Sequence, residues 1–160
     1  MPSQKPRKKS LYNRRKYWYH VSTTLKGKHI RLIPWGEDEA SNRSGDEPKG
    51  KRICVAPTIE QCITAIPYYM ATVCSIYRTK SPVKACRPRN VFDSRVTNEG
   101  WLKHPTNFVK MGILKFQDVE KGVGEEEVIS EAASCDDTDY SKEVLAWWRK
   151  AKIKRFIKRA

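Results

Sequence analysis

The fold is decided by the stretch RICVAPTIEQCITAI, residues 52–66. Residues 52–56 are apolar and partly β-branched, which predicts a buried strand. Thr58 and Gln61 have the spacing of a capping box, whose side chains satisfy the free amides at a helix start. Four apolar residues then recur at helical spacing: Ile59, Cys62, Ile63 and Ile66. The stretch therefore predicts a strand followed at once by a helix that packs one apolar face on a sheet and ends at Pro67.

Two strands are predicted on the N-terminal side of this unit. Residues 17–22 show the period-two alternation of a strand, which places His20 and Ser22 on the same side. A second short strand covers residues 29–33 and stops at a proline. Residues 34–51, which are polar and rich in Gly and Ser, are expected to form a long loop.

Three more strands are predicted after the helix, at residues 69–78, 94–102 and 108–116. The order is three strands, one helix and three strands, without the regular strand–helix alternation of a doubly wound parallel sheet. We therefore expect an α+β fold with a mixed, mostly antiparallel sheet, one packed helix and a basic C-terminal helix.

The 160 residues suffice for one domain with attached tails. Composition divides the chain into four segments: a disordered basic arm at 1–16, an α+β domain at 17–117, an acidic linker at 118–140 and a basic helix at 141–160. Ser141 is the expected N-cap of that helix, which we predict to continue to about Lys158.

The formal charge of +14 comes from the two ends of the chain. Blocks of like charge repel one another unless a partner neutralises them, which favours a nucleic acid or an acidic macromolecular surface as the partner. The candidate contacts are Arg7, Lys8, Lys9, Arg14, Arg15, Lys16, Arg149, Lys150, Lys154 and Arg155. Two alternatives stay open: the basic ends are merely solvated, or the acidic linker folds over the terminal helix.

Several classes of function lack their sequence signatures. The five cysteines include no C-x-x-C pair and the three histidines have no zinc-ligand spacing, so no metal site is expected. Glycine-rich phosphate loops, the nucleophile elbow and H-E-x-x-H are absent from the sequence. No apolar stretch is long enough to span a membrane and no secretory signal is recognisable, so we expect a cytoplasmic protein.

Three short motifs on the predicted strands carry a family resemblance. They are Y-H-V-S at 19–22, R-I-C-V-A-P-T-I at 52–59 and T-N-E-G-W at 97–101. Together they resemble the compact ADP-ribosyltransferase-like fold over residues 17–117, and they are similar to motifs of phage and bacterial proteins whose chemistry is unknown. The resemblance implies an NAD-using transferase, active or degenerate, that acts on a host macromolecule, and the similarity to phage proteins makes a phage one expected source.

The resemblance also implies roles for particular side chains. Glu99 and His20 would be the catalytic residues. Glu99 would stabilise the positive charge that develops on the nicotinamide ribose as the glycosidic bond breaks. His20, with Ser22 on the same face, would contact a ribose of NAD. We therefore expect His20, Ser22 and Glu99 to share one concave site. The alternatives are a structural histidine and a carboxylate in a surface salt bridge.

The remaining implied contacts concern the phosphates and the nicotinamide ring of NAD. Arg52 would bind the pyrophosphate, a role that suits the fork of donors on a guanidinium. One aromatic residue among Tyr68, Tyr69 and Tyr77 would stack on nicotinamide.

Two interpretations from other classes stay open. The first is a non-catalytic protein that binds nucleic acid or a ribonucleoprotein. Its terminal cations would contact phosphate, and its aromatic residues would stack on bases. Those aromatic residues are Tyr17, Trp18, Tyr19, Trp147 and Trp148. The other interpretation is a phage inhibitor that blocks a host complex by charge mimicry or sequestration. Binding of NAD separates the transferase from the nucleic-acid binder.

Overall fold

The computed structural model describes residues 11–35, 51–65, 73–88, 94–123 and 138–159, and it confirms the mostly antiparallel α+β class. The described strands are β1 (Tyr19–Ser22), β2 (His29–Leu32), β3 (Ile53–Val55), β4 (Val73–Thr79), β5 (Gly100–Leu102), β6 (Thr106–Lys115) and β7 (Lys158–Arg159). The described α-helices are α1 (Ile59–Thr64), α2 (Ser94–Thr97), α3 (Phe116–Val123) and α4 (Thr138–Lys150). Short 3₁₀ helices cover Leu11–Asn13 and Ile153–Phe156.

The main sheet has the antiparallel order β1-β4-β6-β2, and β7 adds to β6 beyond the end of β2. A smaller antiparallel ribbon pairs β3 with β5. Two single-residue bridges join the ribbon to the outer strands of the main sheet: Tyr19 pairs with Ala56, and Trp35 pairs with Arg52. Backbone pairing therefore continues from β1 and from the chain after β2 onto β3, which curls the sheet into a small barrel.

Two hydrophobic clusters lie on opposite faces of the main sheet. Inside the barrel, Trp18, Tyr77 and Phe108 pack with residues of β3 and β5. On the other face, Ile76 and Leu114 pack with the helices and with the C-terminal segment. The period-two alternation of the strands explains this arrangement, because neighbouring residues of β4 enter different clusters.

The predicted strand-to-helix unit at residues 52–66 forms as expected at its start. The Thr58 hydroxyl accepts a hydrogen bond from the Gln61 N–H (3.2 Å), as in a capping box. The Gln61 side chain does not return to the start of the helix but donates to the Val96 carbonyl (3.1 Å). Helix α1 ends at Thr64, with Ala65 as its C-cap, and so is shorter than predicted.

The prediction of one strand over residues 94–102 is wrong. Residues 94–97 form α2, and Asn98 has a left-handed backbone with φ of 51°. Asparagine is one of the few residues that adopts this conformation readily, and it reverses the chain before β5 begins at Gly100. A side chain at Gly100 would meet the Trp18 ring at 2.9 Å, so glycine allows the close approach of β5 to the interior cluster.

The prediction of one basic helix over residues 141–160 is also wrong. Helix α4 ends at Lys150, and Lys152 has a left-handed backbone with φ of 53°. The chain then forms the 3₁₀ helix around the fully buried Ile153 and adds β7 to β6. One continuous helix would bury only the apolar residues on one of its faces, and Ile153 would not lie on the buried face of α4. Because the chain turns after Lys150, Ile153 is buried.

The boundaries of two other predicted segments also change. The predicted disordered arm, 1–16, reaches too far, because Leu11 and Tyr12 pack against the interior cluster and Lys16 bridges to Val83. The predicted linker, 118–140, is helical at both ends, in α3 and α4. Residues 1–10, 36–50, 66–72 and 124–137 lie outside the described residues. The predictions for most of the basic arm, for the long loop and for the middle of the acidic linker concern these residues.

Gly112 tests how the C-terminal segment is held. A methyl group at this position would lie 2.5 Å from the Lys158 carbonyl oxygen, and backbone cannot move aside as a flexible side chain can. We expect Gly112→Ala to lower the free energy of unfolding by about 1–3 kcal/mol, as overpacking does. Urea denaturation measures it. Gly27→Ala is the matched control, because its new methyl group would meet only the Ile30 side chain, at 3.2 Å.

Candidate functional site

The candidate site lies along the edge of β3 that faces the main sheet. The N–H and C=O groups of alternate residues in a strand point to the same edge, so those of Arg52, Cys54 and Ala56 face the same way. Arg52 and Ala56 use theirs in the two bridges, to Trp35 and Tyr19. Cys54 lies between the two bridges, at a gap in the pairing of the barrel.

His20 fills this gap. Its Nδ1 lies 2.9 Å from the Cys54 carbonyl oxygen. A carbonyl can only accept, so Nδ1 must carry the proton, and Nε2 is the unprotonated nitrogen of the neutral ring. Burial lowers the pKa of His20, while the hydrogen bond to Cys54 opposes the shift. The ring also packs at 5.9 Å from the Phe108 ring, inside the barrel. His20 is thus held neutral in one orientation.

Glu99 and Arg52 approach Cys54 at its other end, the thiol. The thiol is open to solvent although protein atoms surround it on most sides. Burial, together with the nearby Glu99 carboxylate, raises the pKa of Cys54 to about 12, although the Arg52 guanidinium opposes this shift. Both side chains lie within hydrogen-bonding reach of the sulfur. Cys54 is therefore a neutral thiol between a cation and an anion, and not a thiolate nucleophile.

Arg52 is 7% exposed, and its guanidinium carbon lies 4.2 Å from the centre of the Trp101 ring. Trp101 is directly opposite Cys54 in the β3–β5 ribbon. Lys103 approaches the same indole, with 5.0 Å between its Nζ and the ring centre. The buried Trp101 Nε1–H has no hydrogen-bond partner among the described residues, so it is a donor that a ligand could use.

Trp35 extends this cluster to the surface. The backbone of Trp35 pairs with that of Arg52, so the two side chains lie on the same face of the paired strands. The Trp35 side chain is 72% exposed. An indole this exposed is unusual beside a buried guanidinium. Because the neighbouring residues of β3 face the barrel interior, the Cys54 thiol lies on the outer side of β3 with Arg52, Glu99 and Trp35. His20 meets the Cys54 carbonyl from the interior side, so the imidazole and the carboxylate approach this residue from opposite faces of the strand.

Two side chains predicted for this site are used elsewhere. The Ser22 hydroxyl accepts hydrogen bonds from the amides of Thr24 (3.2 Å) and Leu25 (2.9 Å), so it stabilises the turn after β1. Tyr77 is fully buried and its hydroxyl donates to the Gly27 carbonyl (2.7 Å), which leaves no ring face for nicotinamide. These contacts do not support the predicted roles of Ser22 and Tyr77 in NAD binding, which stay predictions. Tyr68 and Tyr69 lie outside the described residues.

The predicted nucleic-acid contacts that the structure describes differ in their surroundings. Arg14, Arg15, Arg149 and Lys150 are exposed, whereas Lys16 is half-buried beside the Trp18 ring. The other two described members, Lys154 and Arg155, have partners within the chain. Lys154 pairs with Glu60 at 3.6 Å, and Arg155 lies over the Phe156 ring at 4.6 Å. Arg7, Lys8 and Lys9 lie outside the described residues.

Sequence reasoning found Arg52, His20 and Glu99 but missed Cys54, Trp101 and Trp35 as members of the same cluster. The signal for Cys54 and Trp101 was in the two motifs that contain them. Trp35 follows a proline at the start of a polar loop, and no periodicity marks it. Its place depends on the bridge to Arg52, a contact between distant parts of the chain.

Comparison with known proteins adds no assignment: no family model, no curated protein and no solved structure matches this chain. Within the described ranges, His, Cys, Asp and Glu side chains do not gather in threes as a metal centre requires. Helices in the same ranges are too short or too polar to cross a lipid bilayer.

The lowered pKa of His20 predicts how stability depends on pH. The folded state keeps His20 neutral below its ordinary pKa of 6.5, whereas the unfolded chain takes up a proton there. His20 therefore contributes stability above pH 6.5 that is lost as the pH falls through that value towards the lower pKa of the folded state. We expect the melting temperature of the wild type to fall between pH 7.5 and 5.5 by more than that of His20→Asn.

Asparagine keeps a donor for the Cys54 carbonyl but does not titrate, which makes it the informative variant. His104→Asn, at an exposed histidine, is the matched control and should retain the acid sensitivity of the wild type. Equal sensitivity of His20→Asn and the wild type would show that His20 is not held neutral in the fold.

Proposed function

We propose that the chain is an ADP-ribosyltransferase-like protein that binds NAD at the gap around Cys54. The observation that carries the proposal is the convergence of two distant motifs on this residue. The imidazole of His20 holds the Cys54 carbonyl, and the Glu99 side chain reaches the Cys54 thiol. The third residue expected in the site, Arg52, lies within reach of the same thiol.

The chemistry of these groups suits the parts of NAD. A guanidinium suits the pyrophosphate, and the unpaired Trp101 Nε1–H offers a second donor. The exposed Trp35 offers a flat apolar surface for nicotinamide or adenine, and it takes the stacking role first assigned to a tyrosine. Lys103 adds a positive charge beside Trp101. The residues present therefore fit a dianionic molecule with aromatic ends.

Transfer from NAD breaks the bond between nicotinamide and its ribose, which leaves positive charge on the ribose in the transition state. A fixed carboxylate stabilises that charge, and Glu99 is fixed between the Cys54 thiol and the turn that contains Asn98. His20, held with Nδ1–H on the Cys54 carbonyl, presents Nε2 as an acceptor for a ribose hydroxyl. Departure of the neutral nicotinamide needs no proton from the protein.

The wider setting of this proposal is a cytoplasmic protein of possible phage origin whose target is a host macromolecule. Two of the described cysteines, Cys62 and Cys74, are buried as free thiols, which suits a reducing compartment. Burial raises the pKa of Cys74 to about 12, so this thiol stays protonated and unreactive.

Glu99→Gln tests the mechanism. Glutamine keeps the size and the hydrogen-bonding reach of the carboxylate but removes its charge. We expect NAD to bind with nearly unchanged affinity, while nicotinamide release falls about 100- to 1,000-fold, as on loss of a comparable fixed electrostatic contact. Calorimetry measures the binding, and chromatography of nicotinamide measures the turnover. Glu60→Gln, which removes the charge of a carboxylate on α1 that pairs with Lys154, is the matched control and should leave turnover unchanged.

Two results would contradict the proposal in different ways. If millimolar NAD neither binds nor shifts the melting temperature of the wild type, the chain is not an NAD-binding protein. If NAD binds and is hydrolysed equally well by Glu99→Gln, the site stands but Glu99 is not its catalytic residue.

Trp35→Ala tests the stacking surface of the NAD site. Aromatic stacking on a base contributes about 1–3 kcal/mol, so we expect the affinity for NAD to fall roughly tenfold or more. Trp35→Phe should retain most of the affinity. Ile33→Ala is the matched control, because Ile33 is also strongly exposed, at 67%, but lies outside the bridge to Arg52. Equal NAD affinity of Trp35→Ala and the wild type would remove Trp35 from the site.

A further inference from the structure

The described part of the sheet is itself strongly basic, although residues 17–140 as a whole have balanced charge. Residues 11–35, 73–88 and 100–117, which include the five strands β1, β2, β4, β5 and β6, contain thirteen Lys and Arg and no Asp or Glu. These cations are Arg14, Arg15, Lys16, Lys26, Lys28, Arg31, Arg78, Lys80, Lys84, Arg87, Lys103, Lys110 and Lys115. The acids that balance the count lie in other segments, so the sheet presents positive charge to a partner.

Strand register places an aromatic and basic surface on the outer face of the sheet. Tyr19, Arg78, Val109 and His29 are successive partners across β1, β4, β6 and β2, so they form one row. In the next row, Arg31 is paired with Asn107, and both are exposed. The helices cover the other half of this face, around Ile76 and Leu114. In the part of the chain that the structure describes, His29 and Arg31 in the half with Arg78 are exposed, and Arg78 itself is partly buried.

The centre of this half is a stacked pair, Tyr17 and Arg78. The guanidinium carbon of Arg78 lies 4.2 Å from the centre of the Tyr17 ring, and Tyr17 is 41% exposed. The Arg78 Nε is buried without a hydrogen-bond partner among the described residues. The Arg78 guanidinium therefore covers one face of the exposed Tyr17 ring. Strands β1 and β4 contain no carboxylate that could neutralise the charge of Arg78.

We propose that this surface, defined by Tyr17, Arg78, His29 and Arg31, binds single-stranded nucleic acid. Phosphates are attracted to the acid-free strands, and an unpaired base stacks on the Tyr17 ring that Arg78 holds in place. A duplex keeps its bases paired and stacked on one another, so it would bind only through the attraction between its phosphates and the cations. The surface is distinct from the gap at Cys54, and the proposal does not depend on NAD binding.

The test measures fluorescence anisotropy of labelled twelve-nucleotide dT and rU strands with the full chain at several salt concentrations. Tyr17→Ala should weaken binding roughly 5- to 150-fold, because stacking on one base contributes about 1–3 kcal/mol. Tyr17→Phe keeps the ring and should bind as the wild type does. Since Tyr17 is partly exposed and its hydroxyl is not needed for the stack, a melting curve suffices to confirm folding.

Two further variants separate stacking from charge. Arg14→Ala with Arg15→Ala removes exposed cations near Tyr17, and should reduce the dependence of log K on log salt, which is about 0.7 per neutralised phosphate for a single strand. Arg149→Ala with Lys150→Ala removes two exposed cations from the end of α4 and should change neither the affinity nor the slope. Deletion of residues 1–10 should leave the difference between Tyr17→Ala and Tyr17→Phe intact.

Three results would overturn the proposal: no detectable binding at low salt, equal affinity of Tyr17→Ala and Tyr17→Phe, or equal affinity for a strand that lacks its bases. Duplex binding as tight as single-strand binding would likewise show that the surface recognises charge alone. Unchanged binding by Glu99→Gln is expected and keeps this result separate from the test of the NAD site.

Discussion

The barrel depends on how one edge of β3 is satisfied. Arg52, Cys54 and Ala56 present their backbone groups to the main sheet, and backbone strands pair with only the first and the last of them. The remaining carbonyl, on Cys54, takes its hydrogen bond from the side chain of His20. A buried carbonyl without a partner costs free energy, and a neutral imidazole supplies the donor at the one place where strand pairing stops. The same contact that closes the barrel therefore fixes an imidazole at a solvent-accessible gap.

Strand β1 connects this gap to the opposite side of the sheet. Trp18, just before β1, and His20 within it face the barrel interior, whereas Tyr17 and Tyr19 face outward. A period of two thus lets four consecutive residues contribute to two different surfaces. A shift of register by one residue would exchange them, which is why the bridge between Tyr19 and Ala56 matters for both surfaces.

Local patterns predicted the parts of this structure that local interactions determine. The strand before Thr58, the helix cap and the shared side of His20 and Ser22 follow from spacing and alternation alone. The helix at Ser94 and the break at Lys152 were missed, because each depends on one residue in the left-handed conformation rather than on a repeated pattern. The burial of Tyr77 and the exposure of Trp35 were not predicted, for a tertiary reason. A buried tyrosine and an exposed tryptophan reverse the usual expectation, and only the closure of the barrel decides which ring is covered.

Charge is organised differently on the two surfaces, and this sets what each can bind. In the gap, Arg52 and Glu99 carry opposite charges, and both lie beside the neutral Cys54 thiol. The two charges largely cancel at a distance, so each acts mainly on the groups that it contacts. The raised pKa of Cys54 keeps a proton on the sulfur, so the thiol adds no charge of its own between Arg52 and Glu99. The four strands β1, β2, β4 and β6 contain no Asp or Glu, so attraction to their cations extends over the distance that salt allows and needs no fixed geometry beyond the Tyr17 ring.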